Sequence, residues 1–432
     1  MFFADLMATL FERRLERLSD HTSGAGALAE RIEALLSGEG EVSGMRLARE
    51  ILSRYQAMDD AAKRDFFAHL ADHLDLDTDR LNAAVEAYRT ERSADTLNRL
   101  SREAEPRRQE LLRRLNQSPG ATAWLVRMRR DLLGLIPQAP ELGVIDTDFR
   151  HLFSSWFNRG FLVLRQIDWS TPASILEKII EYEAVHAIGD WQELRRRMLP
   201  RDRRCFAFFH PAMPEEPLIF VEVALCRGIP NSVQDLLSEG REPLHENEID
   251  TAVFYSISNC QEGLKGISFG NLLIKQVVEE LARDVPGLST FVTLSPVPGL
   301  NRWLRKCSAN RPELAALLAR TEGRDPQAIA GDEDWLRRLG AEYLLEAKRP
   351  DGLPYDAVAR FHLANGALLH DVHAIADTSA NGWGQSSTVM VNYLYDLPSV
   401  SRNSERYVAA GTVSASRQVE QLLRKDRKRR RA

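Results

Sequence analysis

The periodicity of the sequence changes before its midpoint, and this change restricts the chain to a fold of two unlike parts. Residues 1–165 repeat apolar side chains at the i, i+3, i+4 and i+7 positions, which fall on one face of a helix. No β-branched run interrupts this half, whose segments include GALAERIEALL, GMRLAREILSRYQAM and DRLNAAVEAYRTER. The first part therefore predicts an α-helical bundle.

Extended segments follow the helical half. Four are β-branched or aromatic between Pro, Gly, Asn or Asp, as strands usually are, namely CFAFFH (205–210), PLIFVEVAL (217–225), TAVFYSIS (251–258) and STFVTLS (289–295). The helical pattern SFGNLLIKQVVEELARDV separates the last two and predicts a βαβ unit. After a helical stretch over 300–349, ARFHLANGALLHDVHAIADTS and STVMVNYLYDL return to extended patterns. We predict an α+β chain, with a helical bundle over 1–165 and a mixed α/β domain over 166–432.

Composition narrows the class of protein further. The chain has 432 residues, 44% of them hydrophobic, and a formal net charge of −5, which gives no general case for binding nucleic acid. No apolar run approaches the roughly 18 residues of a membrane span. The four cysteines are far apart, which argues against a thiolate zinc site or a disulfide framework and fits a reducing compartment; they are Cys205, Cys226, Cys260 and Cys307.

Two histidine pairs could suggest a metal site. His69 and His73 are one helical turn apart, but no third ligand stands at a suitable spacing. His370 and His373 lie near Asp377, but their separation by three residues would place them on opposite faces of a strand. We predict no metal site from either pair.

A glycine-rich loop joins the third predicted strand to the following helix, in NCQEGLKGISFGNLLIKQVVEEL (259–281). Glycines allow a ligand to approach the backbone, and free N–H groups at a helix start attract anions. Lys265 adds a positive charge, so the loop suits a diphosphate; the alternative is a plain turn with glycines at positive φ. A Walker A loop is excluded because no GKS or GKT is present, and the glycine spacing excludes a Rossmann fingerprint.

This loop resembles the acyl-CoA loop of the GNAT acetyltransferases, although Lys265 and Ser268 replace the usual Gln or Arg and Gly. Longer blocks closely resemble malonyl-CoA decarboxylases, in order and at sensible spacing over roughly 150–398. They are FYSISNCQEGLKGISFGNLLIKQVVEEL, TFVTLSPVPGLNRWL and ARFHLANGA, with support from WFNRGFLVLRQIDW, YEAVHAIGDWQELRRRM and MVNYLYDL. The SPVPG and FHLANGA blocks are the specific ones.

The resemblance implies a helical domain for association into a dimer or tetramer, followed by a GNAT-like catalytic domain. It also implies conversion of malonyl-CoA to acetyl-CoA and CO2 without a metal or organic cofactor. The catalytic pair of the family maps onto Ser295 and His362. The loop that binds coenzyme A maps onto Lys265, Gly266, Ile267, Ser268, Phe269, Gly270 and Asn271.

The proposed chemistry suits these residue types. Loss of CO2 leaves a thioester enolate, and a serine hydroxyl can hold the carboxylate out of the enolate plane. A histidine can supply the final proton, since its pKa is ordinarily near working pH. We therefore expect Ser295 to position the carboxylate and His362 to protonate the enolate. Asn365 and Gly366 either orient His362 or form a turn.

Two other functions remain compatible with the sequence. One is an acyl-CoA-dependent acyltransferase on the same scaffold, and the other is a non-catalytic helical oligomerisation or regulatory protein. The N-terminal MFFADLMATLFERRLERL predicts a first helix rather than a targeting peptide, and the chain ends in KRRRA rather than a peroxisomal signal. We expect a bacterial cytoplasmic enzyme that contacts neither membrane nor nucleic acid, with the basic run RKDRKRRR as a solvated tail.

Overall fold

The computed structural model describes residues 25–38, 40–269 and 273–429, and the chain divides into two units between Ser155 and Trp156. The described part of the first unit is helical, as predicted; the segment MFFADLMATLFERRLERL lies outside it. Its α-helices are α1 (Ala25–Leu36), α2 (Glu41–Gln56), α3 (Asp60–His73), α4 (Thr78–Thr90), α5 (Ala94–Glu103), α6 (Arg107–Asn116), α7 (Ala121–Leu135) and α8 (Gly143–Trp156), the last of which reaches the boundary.

Short polar side chains cap three helices of the first unit, α3, α4 and α5. The carboxylate of Asp59 accepts a hydrogen bond from the Ala62 N–H at 2.8 Å, and that of Asp77 accepts one from Arg80 at 3.0 Å. Ser93 forms a capping box at the start of α5. Because each such cap contributes about 1 kcal/mol to helix stability, these breaks in the sequence separate distinct helices.

The second unit is built on one eight-stranded sheet in the order β1-β2-β3-β4-β5-β8-β6, with β7 also paired to β8. Only β4 and β5 pair in parallel; the other pairs are antiparallel. The strands are β1 (Val163–Ile167), β2 (Arg203–His210), β3 (Met213–Cys226), β4 (Thr251–Asn259), β5 (Thr290–Thr293), β6 (Ser295–Pro296), β7 (Leu368–His373) and β8 (Met390–Leu394).

All four predicted strands are present, and two details differ. The sequence did not predict β1, which pairs with β2 at the edge of the sheet. STFVTLS was predicted as one strand, but Leu294 interrupts it and separates β5 from β6. Both β5 and β6 nevertheless pair with β8.

Helices lie between these strands, including one between β4 and β5 and three within 300–349, as predicted. A buried apolar cluster joins the helices Ala173–Tyr182 and Trp191–Met198 to β1, β2 and β3. No helix in the described ranges is long and apolar enough to cross a membrane. The helices are α9 (Ala173–Tyr182), α10 (Trp191–Met198), α11 (Val233–Leu237), α12 (Leu273–Asp284), α13 (Leu300–Ser308), α14 (Pro312–Glu322), α15 (Glu333–Glu346), α16 (Ala357–Ala364), α17 (Ala380–Ser386), α18 (Val400–Ala410) and α19 (Arg417–Arg429). The predicted fold class, a helical region followed by a mixed α/β domain, is confirmed.

The extended pattern predicted for ARFHLANGA is wrong at its start, because AVARFHLA forms α16. The carboxylate of Asp356 caps this helix by accepting a hydrogen bond from the Ala359 N–H at 2.9 Å. Alanine and leucine favour a helix once such a cap is in place. The extended pattern begins only at β7, so His362 lies in the last turn of a helix.

Gly366 allows the chain to turn from α16 into β7. Its φ of +85° lies in the left-handed region, and an added Cβ would lie 2.1 Å from the carbonyl oxygen of Val400 in α18. This position therefore combines an unfavourable φ for other residues with a backbone that leaves no space for a side chain. The sequence left two roles open for Gly366, orienting His362 or forming a turn, and in the structure it forms a turn.

We predict that Gly366→Ala lowers the free energy of unfolding by at least ~2 kcal/mol, because strain and collision add. Gly384→Ala is the matched control, since an added Cβ there meets no atom within 4 Å. Urea unfolding followed by circular dichroism measures both variants. Equal stability of the two variants would contradict the assigned turn.

Candidate active site

The structure brings Ser295 and His362 together although they are 67 residues apart in the sequence. Ser295 begins β6 and His362 lies near the end of α16, and Ser295 Oγ is 3.2 Å from His362 Nε2. Their side chains are buried, with 5% and 2% of their surface exposed. The two residues predicted to act as a pair are therefore within hydrogen-bond distance.

The break between β5 and β6 positions the serine. β8 pairs with β5 through Leu394 and with β6 through Val391, so it spans the break. Thr293 lies at the break, and its Oγ1 accepts hydrogen bonds from the Tyr393 N–H at 3.2 Å and from Ser295 Oγ at 2.9 Å. The threonine hydroxyl thus takes the place of a backbone carbonyl as the acceptor for the Tyr393 N–H, and it also contacts the serine.

Tyr393 in β8 and Tyr395, just after the strand ends, contact the imidazole. The Tyr395 hydroxyl is 2.8 Å from His362 Nδ1, and the Tyr393 ring stacks on the imidazole with centroids 4.5 Å apart. Both ring nitrogens of His362 therefore have a hydroxyl partner. Burial raises the pKa of Tyr395, so its hydroxyl stays protonated and able to donate.

Thr293 and Tyr395 were not predicted as site residues, although each lies two residues from another residue of the site. Thr293 is two residues before Ser295, and Tyr395 is two residues after Tyr393. In an extended backbone such residues share a face. The two-residue spacing therefore indicates Thr293 only after Ser295 has been assigned to the site.

Burial keeps His362 uncharged. It lowers the pKa of His362 to about 3, and no charged neighbour opposes the shift. We expected a histidine with a pKa near working pH, and this expectation is wrong for the unliganded protein. Within the described residues, the hydrogen-bond partners of the imidazole are hydroxyl groups rather than the carboxylate that completes a Ser-His-Asp triad.

A cleft of about 440 Å³ lies beside the glycine-rich loop, within the usual size range of ligand sites. Residues 265–269 of the predicted coenzyme loop line it, and Gly266 turns there with φ +77°. Gly270 and Asn271 lie outside the described residues. The remaining wall consists of Leu218, Ile219, Asn259, Gln261, Glu262, Leu264, Leu273, Phe361, Ala364 and Asn365.

The cleft and the buried pair share helix α16. Phe361 and Asn365 contribute to the cleft wall, whereas the neighbouring His362 is buried and is not part of that wall. The Asn365 amide nitrogen donates to the Phe361 carbonyl oxygen at 2.8 Å. One helix therefore carries both a wall of the cleft and the imidazole.

Strand β4 leads directly to this cleft. Its residues 251–254 pair with β5, whereas residues 255–259 continue beyond the last pair. The loop begins at the end of β4, so β4 and β5 separate on the side where the loop lies. Such a separation at the carboxyl ends of parallel strands leaves room for a ligand.

The histidines of the two pairs considered as metal ligands lie elsewhere in the structure. His373 Nε2 is 2.5 Å from Asn392 Oδ1, and His370 occupies a bulge in β7. The rings of His69 and His73 lie 4.8 Å apart. The described part of the chain contains no group of three or more His, Cys, Asp or Glu side chains that could hold a metal ion.

Comparison with known proteins identifies the family. Residues 160–432 match the family model described as the malonyl-CoA decarboxylase C-terminal domain, and residues 74–157 match the N-terminal domain. The chain belongs to the malonyl-CoA decarboxylase family. The family predicted from the SPVPG and FHLANGA blocks is thereby confirmed.

Named relatives agree with this assignment. A mitochondrial malonyl-CoA decarboxylase of Anser anser anser is 36% identical over 73% of this chain and 69% of its own length. The Mus musculus enzyme of the same name is 33% identical over 74% of this chain and 71% of its own. These relatives are carboxy-lyases by name.

Solved structures of bacterial malonyl-CoA decarboxylases share the fold. The enzyme of Rhodopseudomonas palustris has a TM-score of 0.88 at 48% identity, covering 93% of this chain and all of its own. That of Agrobacterium vitis has a TM-score of 0.86 at 49% identity, covering 92% and 99%. The similarity includes most of the chain rather than the second unit alone.

We predict that His362 stays neutral from pH 8 to about pH 5 in the unliganded protein, because its pKa lies well below that range. Nuclear magnetic resonance of histidine-labelled protein reports the protonation of each ring, and the His362→Gln variant assigns the signal. A His362 midpoint inside this range would contradict the buried neutral imidazole.

Proposed function

We propose that this chain converts malonyl-CoA to acetyl-CoA and CO2. One observation carries the proposal: Ser295 and His362, from separate blocks of a malonyl-CoA decarboxylase sequence, form a buried pair beside the cleft of the glycine-rich loop. The relatives named above are malonyl-CoA decarboxylases. The arrangement suits a reaction whose intermediate must be kept from water.

In this reaction the bond between the α-carbon and the carboxylate carbon breaks and CO2 leaves. The electron pair moves into the thioester as an enolate, and the α-carbon then takes one proton, which solution replaces. We assign the orientation of the carboxylate to the Ser295 hydroxyl and the protonation of the α-carbon to His362. An oriented carboxylate can lose CO2 only when the breaking bond overlaps the carbonyl π system.

Because the pKa of His362 is low in the free protein, we propose that the substrate itself promotes protonation of the ring. The malonyl carboxylate is an anion, and an anion beside a buried imidazole favours the protonated ring. Binding of malonyl-CoA therefore draws a proton onto His362 before bond cleavage. Once CO2 has left, the protonated imidazole faces the enolate and gives the proton to carbon.

The loop is proposed to hold the coenzyme A pyrophosphate through its backbone N–H groups and Lys265. Residues 265–269 line a cleft of suitable size, and Gly266 adopts a positive φ that brings the backbone to the surface. Gly270 and Asn271 belong to the same proposed site by resemblance. The loop binds the substrate and takes no part in bond cleavage.

Two further proposals concern the assembly of the protein and its location in the cell. We propose that the helical unit, 1–165 in the sequence prediction, joins subunits into a dimer or tetramer. The four cysteines are unpaired, which supports a reducing compartment such as the cytoplasm. We also propose the domains of the sequence prediction, 1–165 and 166–432, whereas the contacts within the chain divide it between Ser155 and Trp156.

We predict that the protein releases CO2 and acetyl-CoA from malonyl-CoA alone, with a chelator present. His362→Ala should lower kcat at least ~100-fold, because it removes the proton donor. Mass spectrometry of the coenzyme A products measures both results. His151→Ala, which alters an exposed histidine of the helical unit, is the control.

Three outcomes would overturn this proposal. Absence of turnover with chelator would exclude the reaction as written, and turnover only with an amine acceptor would favour the acyltransferase. Unchanged activity of His362→Ala would remove His362 from the mechanism. Each outcome is judged against the His151→Ala control.

We predict that Lys265→Ala raises KM for malonyl-CoA about tenfold with little change in kcat, since it removes binding common to the ground and transition states. Lys275→Ala is the matched control, because Lys275 lies on α12 with its side chain partly exposed. Steady-state kinetics at fixed ionic strength compare them. A fall in kcat alone would place Lys265 elsewhere than on the pyrophosphate.

A further inference from the structure

Thr293 is a fully buried residue in direct contact with the site, and the reaction above assigns it no role. Its Oγ1 lies 2.9 Å from Ser295 Oγ and 3.2 Å from the Tyr393 nitrogen. Its carbonyl oxygen accepts a hydrogen bond from the Asn392 side chain at 2.9 Å. Three hydrogen bonds thus hold Thr293 between β8 and the serine.

These contacts fix the direction of the serine hydroxyl. The Ser295 hydroxyl donates to Thr293 Oγ1 at 2.9 Å, and the same oxygen accepts from the Tyr393 N–H at 3.2 Å, so both of its acceptor positions are occupied. The single hydrogen of Ser295 therefore points to Thr293. Its oxygen faces His362 Nε2 with a lone pair rather than a hydrogen.

The direction of that hydroxyl determines the tautomer of the imidazole. Because Ser295 Oγ can only accept from His362, the proton of the neutral ring must be on Nε2. Nδ1 is then an acceptor, and the Tyr395 hydroxyl at 2.8 Å donates to it. The hydrogen bonds run in one direction from Tyr395 through His362 and Ser295 to Thr293.

We propose that Thr293 is a positioning residue that keeps the His362 proton on Nε2, the nitrogen that faces Ser295. This inference rests on the proposed function for its kinetic consequence, and its structural part concerns the free protein. When the malonyl carboxylate arrives, the serine hydrogen moves from Thr293 to the carboxylate. In neither state does it donate to His362, so Nε2 still carries its hydrogen when the substrate binds and the ring takes up its second proton.

A purely structural role for Thr293 makes a different prediction. Its Oγ1 also satisfies the Tyr393 N–H, and loss of that bond would lower stability whatever the serine does. A structural role would leave the imidazole tautomer unchanged. The position of the ring proton therefore separates the two roles.

Thr293→Val removes the acceptor with little change in shape, and Thr293→Ser retains it. In Thr293→Val the serine hydrogen is free to turn towards Nε2, which favours the Nδ1–H tautomer. Thr290→Val makes the same substitution at the other end of β5 and serves as the control. Thermal unfolding establishes that each variant is folded.

Proton–nitrogen-15 correlation spectra of the histidine rings, in free protein, test the tautomer directly. We expect Nε2–H at His362 in the wild type, Thr293→Ser and Thr290→Val, and a shift to Nδ1–H in Thr293→Val. Nδ1–H in the wild type, or an unchanged tautomer in folded Thr293→Val, would overturn the proposal. If Thr293→Val does not fold, Thr293→Ala, which also removes the acceptor, takes its place in the same comparison.

Kinetics test the consequence for the reaction. We expect Thr293→Val to lower kcat roughly tenfold with KM nearly unchanged, and Thr293→Ser to restore it. A rise in KM alone, or no rescue by serine, would contradict a positioning role. A wild type that releases no CO2 would refute the proposed function, whereas the ring spectra would still decide whether Thr293 sets the tautomer.

Discussion

Burial of an imidazole among hydroxyl groups determines how this site can work. His362 is removed from water without the compensation of a buried carboxylate partner, and burial alone accounts for its low pKa. A Ser-His-Asp triad stabilises the positive ring that forms when serine acts as a nucleophile. Among the described residues, the partners that hydrogen-bond to the ring are hydroxyl groups, so in the proposed mechanism the negative charge comes from the substrate. That requirement favours a reaction on an anionic acyl group.

Strand β8 provides most of the arrangement around that imidazole. It pairs with both halves of the interrupted strand. The ring of Tyr393 stacks on the imidazole, and the backbone N–H of Tyr393 donates a hydrogen bond to Thr293. Helix α16 brings the imidazole from the other side, fixed by its Asp356 cap and the Gly366 turn. Three chain segments that are distant in sequence thus meet at one hydrogen-bonded group, and the precision of their packing sets its distances.

The sequence predicted the two-part architecture, the strands around the loop and the two residues that now form the pair. Periodicity is a local property, which is why β2, β3, β4 and α12 could be recognised from it. Periodicity was not sufficient to predict features that depend on contacts between residues distant in the sequence. The break at Leu294 depends on β8, and the helix carrying His362 depends on a single cap at Asp356. Thr293 and Tyr395 acquire meaning only through contacts, and the pKa of His362 depends on burial that no local pattern reveals.

The late position of β8 in the sequence has a consequence for biosynthesis. Chains emerge from the ribosome amino terminus first, and domains begin to fold in that order. The loop and the strand that precedes it are synthesised far earlier than Tyr393 and Tyr395, which complete the surroundings of the imidazole. A nascent chain can therefore contain the glycine-rich loop well before it contains the hydroxyl network. The hydroxyl network around His362 can accordingly form only after β8 has been synthesised and pairs with β5.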